Sequence, residues 1–200
     1  MTRPQRGKAK AAIRRCLDEA TELDEAKRAA YGAAAEAIID AMGPVALKRW
    51  NENVESITFY ADTESVTRFR RALNPGKPVQ GGIRGICVRD RFRPNVCRLH
   101  LNGGSETGEP FPRTTQDVYA HEFSHAVDVA EREPQRLSST VEWQVAWRAE
   151  GEEIQERLNL PDRGPNEGFG NFAIIAWNYP EDAKRHFPAC WAFWKTHSLV

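Results

Sequence analysis

Apolar residues recur along the chain at two spacings, which predict both helices and strands. Steps of three and four residues predict helices at 8–42, 62–73, 114–133, 139–158, 167–178 and 181–197. Alternation of polar residues with β-branched or aromatic residues predicts strands at 56–61, 83–89 and 95–101. The mixture of helical and strand periods indicates an α+β fold.

The first helical run, 8–42, is rich in alanine and precedes the rest of the pattern. Gly43-Pro44 supplies a stop, and Gly32 is a point at which the run can kink or split. We therefore predict an N-terminal helical arm or hairpin over 1–44, packed on a domain over 45–200.

Composition and charge exclude several classes of function. The chain has 28 Lys and Arg against 28 Asp and Glu, a formal net charge of zero. Nucleic acid is therefore not expected as a partner, despite a basic N-terminus and an arginine cluster over 84–98. The sequence has no apolar run long enough to span a membrane, and no apolar segment behind its basic start. We expect no membrane partner, no secretory signal and a cytoplasmic location.

The four cysteines are scattered and include no C-x-x-C pair, which excludes a zinc ribbon. Cys87 and Cys97 fall in neighbouring predicted strands, so a single disulfide bridge between them is one alternative. Reduced, half-buried thiols are the expected state.

The strongest chemical signal is HEFSH at 121–125, an H-E-x-x-H motif inside a predicted helix. His121 and His125 are four residues apart, so both imidazoles lie on one helix face and can bind one zinc ion. Glu122 points about 100° away from His121 around the helix. It is therefore predicted to act as the base that takes a proton from water at the metal.

A catalytic zinc site requires a third protein ligand. Glu167 opens a predicted helix and is the best candidate, since the poor helix formers Gly168 and Gly170 indicate close packing there. Four acids of the preceding helix compete for this role: Glu142, Glu150, Glu152 and Glu153. Asp128 follows His125 by one turn and is expected to orient an imidazole through a hydrogen bond, or else to be a solvated acid.

Four segments, YAHEFSHAVD, SSTVEW, NEGFGNFA and HFPACWAFW, resemble the lethal-factor type of gluzincin metallopeptidase over about 114–197. The resemblance implies zinc ligands at His121, His125 and Glu167, with Glu122 as the base. It also implies a zincin-like fold, in which a small mixed sheet packs on the active-site helix.

The resembling family tends to place an oxyanion-stabilising tyrosine shortly before its third ligand, whereas 159–166 contains no tyrosine. Arg163, Tyr179 and His186 are candidates for that role. The predicted strand at 95–101 is either an edge that aligns an extended peptide or an internal strand. We expect a zinc metallopeptidase acting on proteins or peptides. The alternative is a weak or inactive zincin-like domain that serves as a metal-binding interaction module.

Overall fold

The computed structural model describes residues 2–76, 84–93, 95–103, 114–129, 136–160 and 163–200. Most of them are helical, in α1 Thr2–Glu19, α2 Glu25–Ala41, α3 Pro44–Asn53, α4 Thr63–Leu73, α5 Thr115–Val127, α6 Val141–Leu158, α7 Gly164–Asn178, α8 Pro180–His186 and α9 Pro188–Thr196. The strands are β1 Val54–Phe59, β2 Gly85–Arg89 and β3 Cys97–Leu101, and a 3-10 turn covers Leu137–Ser139. None of these helices is both long and apolar enough to cross a bilayer.

The three strands form a small mixed sheet in the order β1-β3-β2. β3 runs parallel to β1 and antiparallel to β2, with Leu99 opposite both Ile57 and Cys87. The prediction of an α+β fold is therefore confirmed. Because β3 has a neighbour on each side, the strand predicted at 95–101 is internal, and the idea that it forms a substrate-aligning edge is wrong.

Side chains of β3 alternate between the two faces of the sheet. Leu99 and Leu101 are fully buried, whereas His100 points to the opposite face. There its ring stacks on Phe69 of α4, and its Nδ1 lies 3.0 Å from the Tyr60 hydroxyl. Burial lowers the pKa of His100 to about 4. His100 is thus part of the packing between α4 and the sheet.

The N-terminal run forms a helical hairpin, as predicted, but the break between its helices lies at 20–24 and not at Gly32. Asp24 causes the restart, because its carboxylate accepts a hydrogen bond from the Lys27 backbone N–H at 2.7 Å and caps α2. Gly32 lies inside α2, where a β-carbon would be 3.3 Å from Leu17 of α1.

Helix α3 was not predicted, because Gly43-Pro44 was interpreted only as a stop. Pro44 instead begins α3, where its missing N–H costs nothing. Gly43 is packed against the C-terminus, since a β-carbon there would lie 2.5 Å from the Ser198 carbonyl oxygen. The C-terminal residues thereby anchor the junction between α2 and α3.

Two basic side chains of α1 are paired with acids of α2. Nζ of Lys10 lies 2.6 Å from Oδ2 of Asp40, and Nε of Arg14 lies 2.7 Å from Oε1 of Glu36. These ion pairs occupy part of the basic surface that the sequence offers for nucleic-acid contact.

The remaining boundaries differ from the predictions in ways that follow from caps and prolines. The helix predicted at 114–133 ends at Val127, and positions 130–133 lie outside the described residues, as does position 83 of the second predicted strand. The segment predicted at 181–197 is two helices, because Pro188 starts a new helix after Phe187. All four cysteines are free thiols.

Candidate metal centre

Helix α5 carries the H-E-x-x-H motif and is fixed at its N-terminus by a reciprocal cap. The Thr114 hydroxyl accepts from the Asp117 N–H, and the Asp117 carboxylate accepts from the Thr114 N–H, both at 3.1 Å. The same carboxylate accepts from the Asn178 amide at 2.7 Å, at the C-terminal end of α7. Helices α5 and α7 therefore run antiparallel, which brings the start of α7 beside the motif.

Aromatic side chains hold the opposite side of α5. Phe123 packs on Trp50 of α3 with ring centroids 5.3 Å apart, and Tyr119 packs on Tyr31 of α2 at 6.1 Å. Because this face is buried among α2 and α3, the rotation of α5 about its axis is fixed. Both histidines consequently face α7.

His121, His125 and Glu167 come together as sequence analysis predicts. The two Nε2 atoms are 3.1 Å apart, and Nε2 of His121 lies 3.6 Å from Oε2 of Glu167. Ligand atoms at the zinc distances found in proteins sit about 3.4 Å apart at the corners of a tetrahedron. One ligand atom from each residue lies within 4.8 Å of the others, and no further such group occurs in the described ranges. The donor set and its spacing therefore fit a metal ion.

The pKa shifts of His125 and Glu167 are in the direction that suits a metal site, which requires neutral imidazole and ionised carboxylate. Burial lowers the pKa of His125, and the neighbouring His121 lowers it further. Interaction with the His121 imidazole lowers the pKa of Glu167, whose side chain is 41% exposed. Since the His121 side chain is only 10% exposed, solvent reaches this pair from the Glu167 side.

The glycines flanking Glu167 explain how α7 approaches so closely. A β-carbon on Gly170 would lie 2.7 Å from both Cε1 and Nδ1 of His121. One on Gly168 would lie 2.5 Å from the indole of Trp147 on α6. The close packing predicted from these glycines is confirmed, and Gly170 leaves the space that the His121 ring occupies.

Glu122 lies between α5 and β2, and only 8% of it is exposed. Its side chain is packed against Gly85, where a β-carbon would be 2.5 Å from Cγ and 2.8 Å from Oε1 of Glu122. Sequence analysis missed Gly85, whose only signal is a glycine inside a predicted strand. The absence of a side chain at Gly85 leaves the space that the Glu122 side chain occupies.

Asp128 supports the site through main-chain and hydroxyl contacts. Its carboxylate accepts from the Ser138 N–H at 2.7 Å and from the Ser138 hydroxyl at 2.8 Å. The same hydroxyl lies 2.9 Å from the side-chain oxygen of Asn166, next to Glu167. Within the described part of the chain no hydrogen bond joins Asp128 to an imidazole, so its predicted partner is wrong. Asp128 instead links the end of α5 to the start of α7.

Arg89 fastens β2 to the same end of α5. Its guanidinium donates a hydrogen bond to the His125 carbonyl and lies 4.0 Å from the Asp128 carboxylate. A cation at a helix C-terminus also offsets the helix dipole. Arg93 and Arg98, also from the arginine cluster, donate to Glu55 at 2.8 Å each. The cluster is therefore divided between different faces of the sheet.

Replacing Ser138 with alanine removes the link between Asp128 and Asn166. We expect the free energy of unfolding to fall by about 1–3 kcal/mol, because a buried carboxylate loses one donor. Zinc affinity is expected to fall about tenfold as Glu167 becomes less well positioned. Thermal denaturation and zinc titration measure both effects, with Ser56→Ala in β1 as the control. Unchanged zinc affinity in Ser138→Ala would contradict the positioning role.

The four acids of α6 that compete with Glu167 as the third ligand are not grouped with the two histidines. Glu150 caps α9 by accepting from the Ala189 and Cys190 N–H groups at 2.7 and 2.9 Å. The other three, Glu142, Glu152 and Glu153, are exposed on α6. Among the described carboxylates, Glu167 is the one that meets both histidines.

The three candidates for the oxyanion role occupy different places. Tyr179 follows the C-terminal end of α7, where the nearby Asp117 raises its pKa. His186 ends α8, with its ring centroid 6.3 Å from that of Phe187. Arg163 directly precedes α7 and is therefore the candidate at the metal end.

Two antiparallel helices thus supply the candidate ligands, and an adjacent strand confines the candidate base. Each of these placements follows from side-chain distances within the chain itself. Neither a protein-family model, nor a curated protein, nor a solved structure matches this chain.

Proposed function

We propose that the chain is a zinc-dependent metallopeptidase of zincin-like fold that hydrolyses peptide bonds. The observation that carries this proposal is the convergence of His121 and His125 with Glu167 in a helix whose Glu122 is buried against β2. Two surface histidines that bind no metal would need no buried acid beside them in sequence, no third donor from another helix and no glycines that make room for that helix.

His121 and His125 would hold the metal through Nε2, and Glu167 would hold it through a carboxylate oxygen. A zinc ion bound there supplies Lewis-acid chemistry, lowering the pKa of water and polarising a carbonyl. Three protein donors leave one coordination position for water or substrate, as in catalytic zinc sites. The exposed side of Glu167 provides the route by which either can enter.

Glu122 performs the proton transfers in this proposal. It neighbours His121 in sequence but packs against Gly85 of β2, so it is not part of the ligand group. Its carboxylate oxygen accepts a proton from the attacking water and then delivers that proton to the nitrogen of the departing amine. Gly85 leaves the space that the Glu122 side chain needs in this position.

Among the described strands β2 lies at an edge of the sheet, which suits an extended peptide. The Asp90 N–H donates to the Val96 carbonyl, and the Asn102 N–H donates to the Arg84 carbonyl. Each is a hydrogen-bonded residue pair, one at either end of the β2–β3 ladder. Because such pairs alternate, the backbone groups of Gly85, Cys87 and Arg89 point away from β3. This edge runs past Glu122, so a peptide added to it lies next to the base.

Peptide cleavage by zinc-loaded protein tests the proposal. A pool of random peptides is incubated with the protein, and the products are identified by mass spectrometry. We expect cleavage that stops when a chelator removes the metal and returns with Zn²⁺ but not with Mg²⁺, which prefers oxygen ligands. Bound zinc without any cleavage would contradict peptidase activity and favour the interaction module.

A further inference from the structure

The C-terminal end of α5 is held by side chains from other elements. The final carbonyl groups of an α-helix have no partner within the helix. The carbonyls of residues 125–127 are in this position on α5, and each accepts a hydrogen bond from a side chain. Arg89 of β2 binds the first, Asn53 of α3 the second at 2.7 Å and Arg49 of α3 the third at 3.3 Å. Three donors from two elements therefore fix the last turn of α5.

Arg89 differs from Arg49 in the residue that it holds. The Arg89 guanidinium donates to the carbonyl of His125, a candidate ligand whose Nε2 lies 3.1 Å from that of His121. The Arg49 guanidinium donates to the carbonyl of Val127, two residues further along the chain. Both arginines place a cation at the same helix end, but Arg89 contacts the ligand residue itself.

The Arg89 guanidinium also lies near the network that joins α5 to α7. Its Nη2 lies 4.0 Å from Oδ2 of Asp128, and the Arg89 side chain is 17% exposed. Asp128 accepts from the N–H and the hydroxyl of Ser138, which links the end of α5 to the start of α7. One side chain of β2 thus joins the main chain at His125 to the contacts between these two helices.

The geometry of β2 explains how Arg89 reaches α5. Positions 85 and 89 are four residues apart on one strand, so they face the same side of the sheet. Gly85 lies against Glu122 of α5, and Arg89 reaches the His125 carbonyl at the end of the same helix. The strand that leaves room for the candidate base therefore also carries the side chain that holds a candidate ligand.

We propose that Arg89 is a positioning residue of the metal centre, which holds the His125 imidazole in place through the His125 carbonyl. This inference rests on the metal-binding part of the proposed function and does not require peptide hydrolysis. The ends of helices open more readily than their centres, and a ligand in the last turn moves with the main chain. A side-chain contact at its carbonyl opposes that motion.

Arg89→Gln tests this role, with Arg49→Gln as the matched control. Both variants replace a charged donor by a shorter neutral one at the same helix end, so both lose a favourable interaction with the helix dipole. We expect Arg89→Gln to bind zinc about tenfold more weakly than the wild type, and Arg49→Gln to remain within about twofold of it. Affinity is measured by titration against a competing chelator, after melting temperatures have shown that the variants are folded.

Bound Co²⁺ provides a second readout, which reports ligand geometry without turnover. Its visible absorption depends on the number and arrangement of its ligands. We expect the spectrum of Arg89→Gln to differ from that of the wild type and the spectrum of Arg49→Gln to match it. Arg89→Lys retains a charged donor and is expected to recover most of the zinc affinity. Arg89→Met, which has no donor, takes the place of Arg89→Gln should that variant not fold.

The outcomes separate this inference from the proposed function. Wild-type zinc affinity or an unchanged Co²⁺ spectrum in Arg89→Gln overturns the inference, as does an equal loss of affinity in Arg49→Gln. An Arg89→Lys variant that binds zinc no better than Arg89→Gln also overturns it, because lost packing would then be the cause. Each of these results leaves the proposed function standing. A wild type that binds neither zinc nor cobalt overturns the proposed function and this inference together.

Discussion

Replacing Glu122 by glutamine is expected to abolish peptide hydrolysis while zinc stays bound. The amide keeps the size of the side chain and its packing against Gly85, but it cannot accept a proton from water. General base catalysis contributes about 10²–10⁴-fold to rates, so turnover should fall by that factor. Steady-state kinetics and elemental analysis of the same sample measure the two effects together. Undiminished turnover in Glu122→Gln would refute the assigned role.

Gly85→Ala tests the same role of Glu122 by displacing its carboxylate without changing its chemistry. A β-carbon at residue 85 would lie 2.5 Å from Glu122 Cγ, so the carboxylate must move while the ligands stay in place. Turnover should fall with zinc content unchanged. Gly7→Ala is the control, because a β-carbon on Gly7 meets nothing within 4 Å.

Gly170→Ala is expected to weaken zinc binding without removing any ligand. The added methyl group would lie 2.7 Å from the His121 ring, so either the imidazole rotates or α7 recedes. Both changes alter the 3.6 Å separation between His121 Nε2 and Glu167 Oε2. Zinc affinity should fall about 10–100-fold, as for other residues that orient ligands. The free energy of unfolding should fall by about 1–3 kcal/mol through overpacking.

A zinc titration against a competing chelator measures the affinity, and thermal denaturation measures the stability. Gly7→Ala again serves as the control. A Gly170→Ala variant with wild-type zinc affinity would mean that the contact between Gly170 and His121 does not position this ligand.

Local rules were sufficient for the parts of the site that lie on single elements. The spacing of His121 and His125 places both on one helical face, and Thr114 begins that helix by a cap recognisable in sequence. The glycines beside Glu167 signalled close packing because they interrupt an otherwise helical segment. Such features depend on residues within a few positions of one another.

Contacts between segments that are distant in the sequence could not be predicted from local patterns. The role of Gly85 depends on the packing of β2 against α5 and on the register of β2 with β3, which no local pattern specifies. Asp128 was expected either to orient an imidazole or to be a solvated acid, but it is buried and accepts hydrogen bonds from the Ser138 N–H and hydroxyl. The break between α1 and α2 at 20–24 was not predicted. The Asp24 side chain caps α2 at that point, whereas Gly32 lies inside the helix without breaking it.

Zinc content is the most direct test of the metal centre on which the account depends. Untagged protein is reconstituted with zinc, dialysed and analysed by elemental analysis, alongside His121→Ala and Glu167→Ala. Glu142→Ala is the control, because Glu142 is an exposed acid of α6. The account predicts equimolar zinc in the wild type and in Glu142→Ala, and its loss in the other two variants. Full zinc retention in Glu167→Ala, or a wild type that binds no zinc, would contradict it.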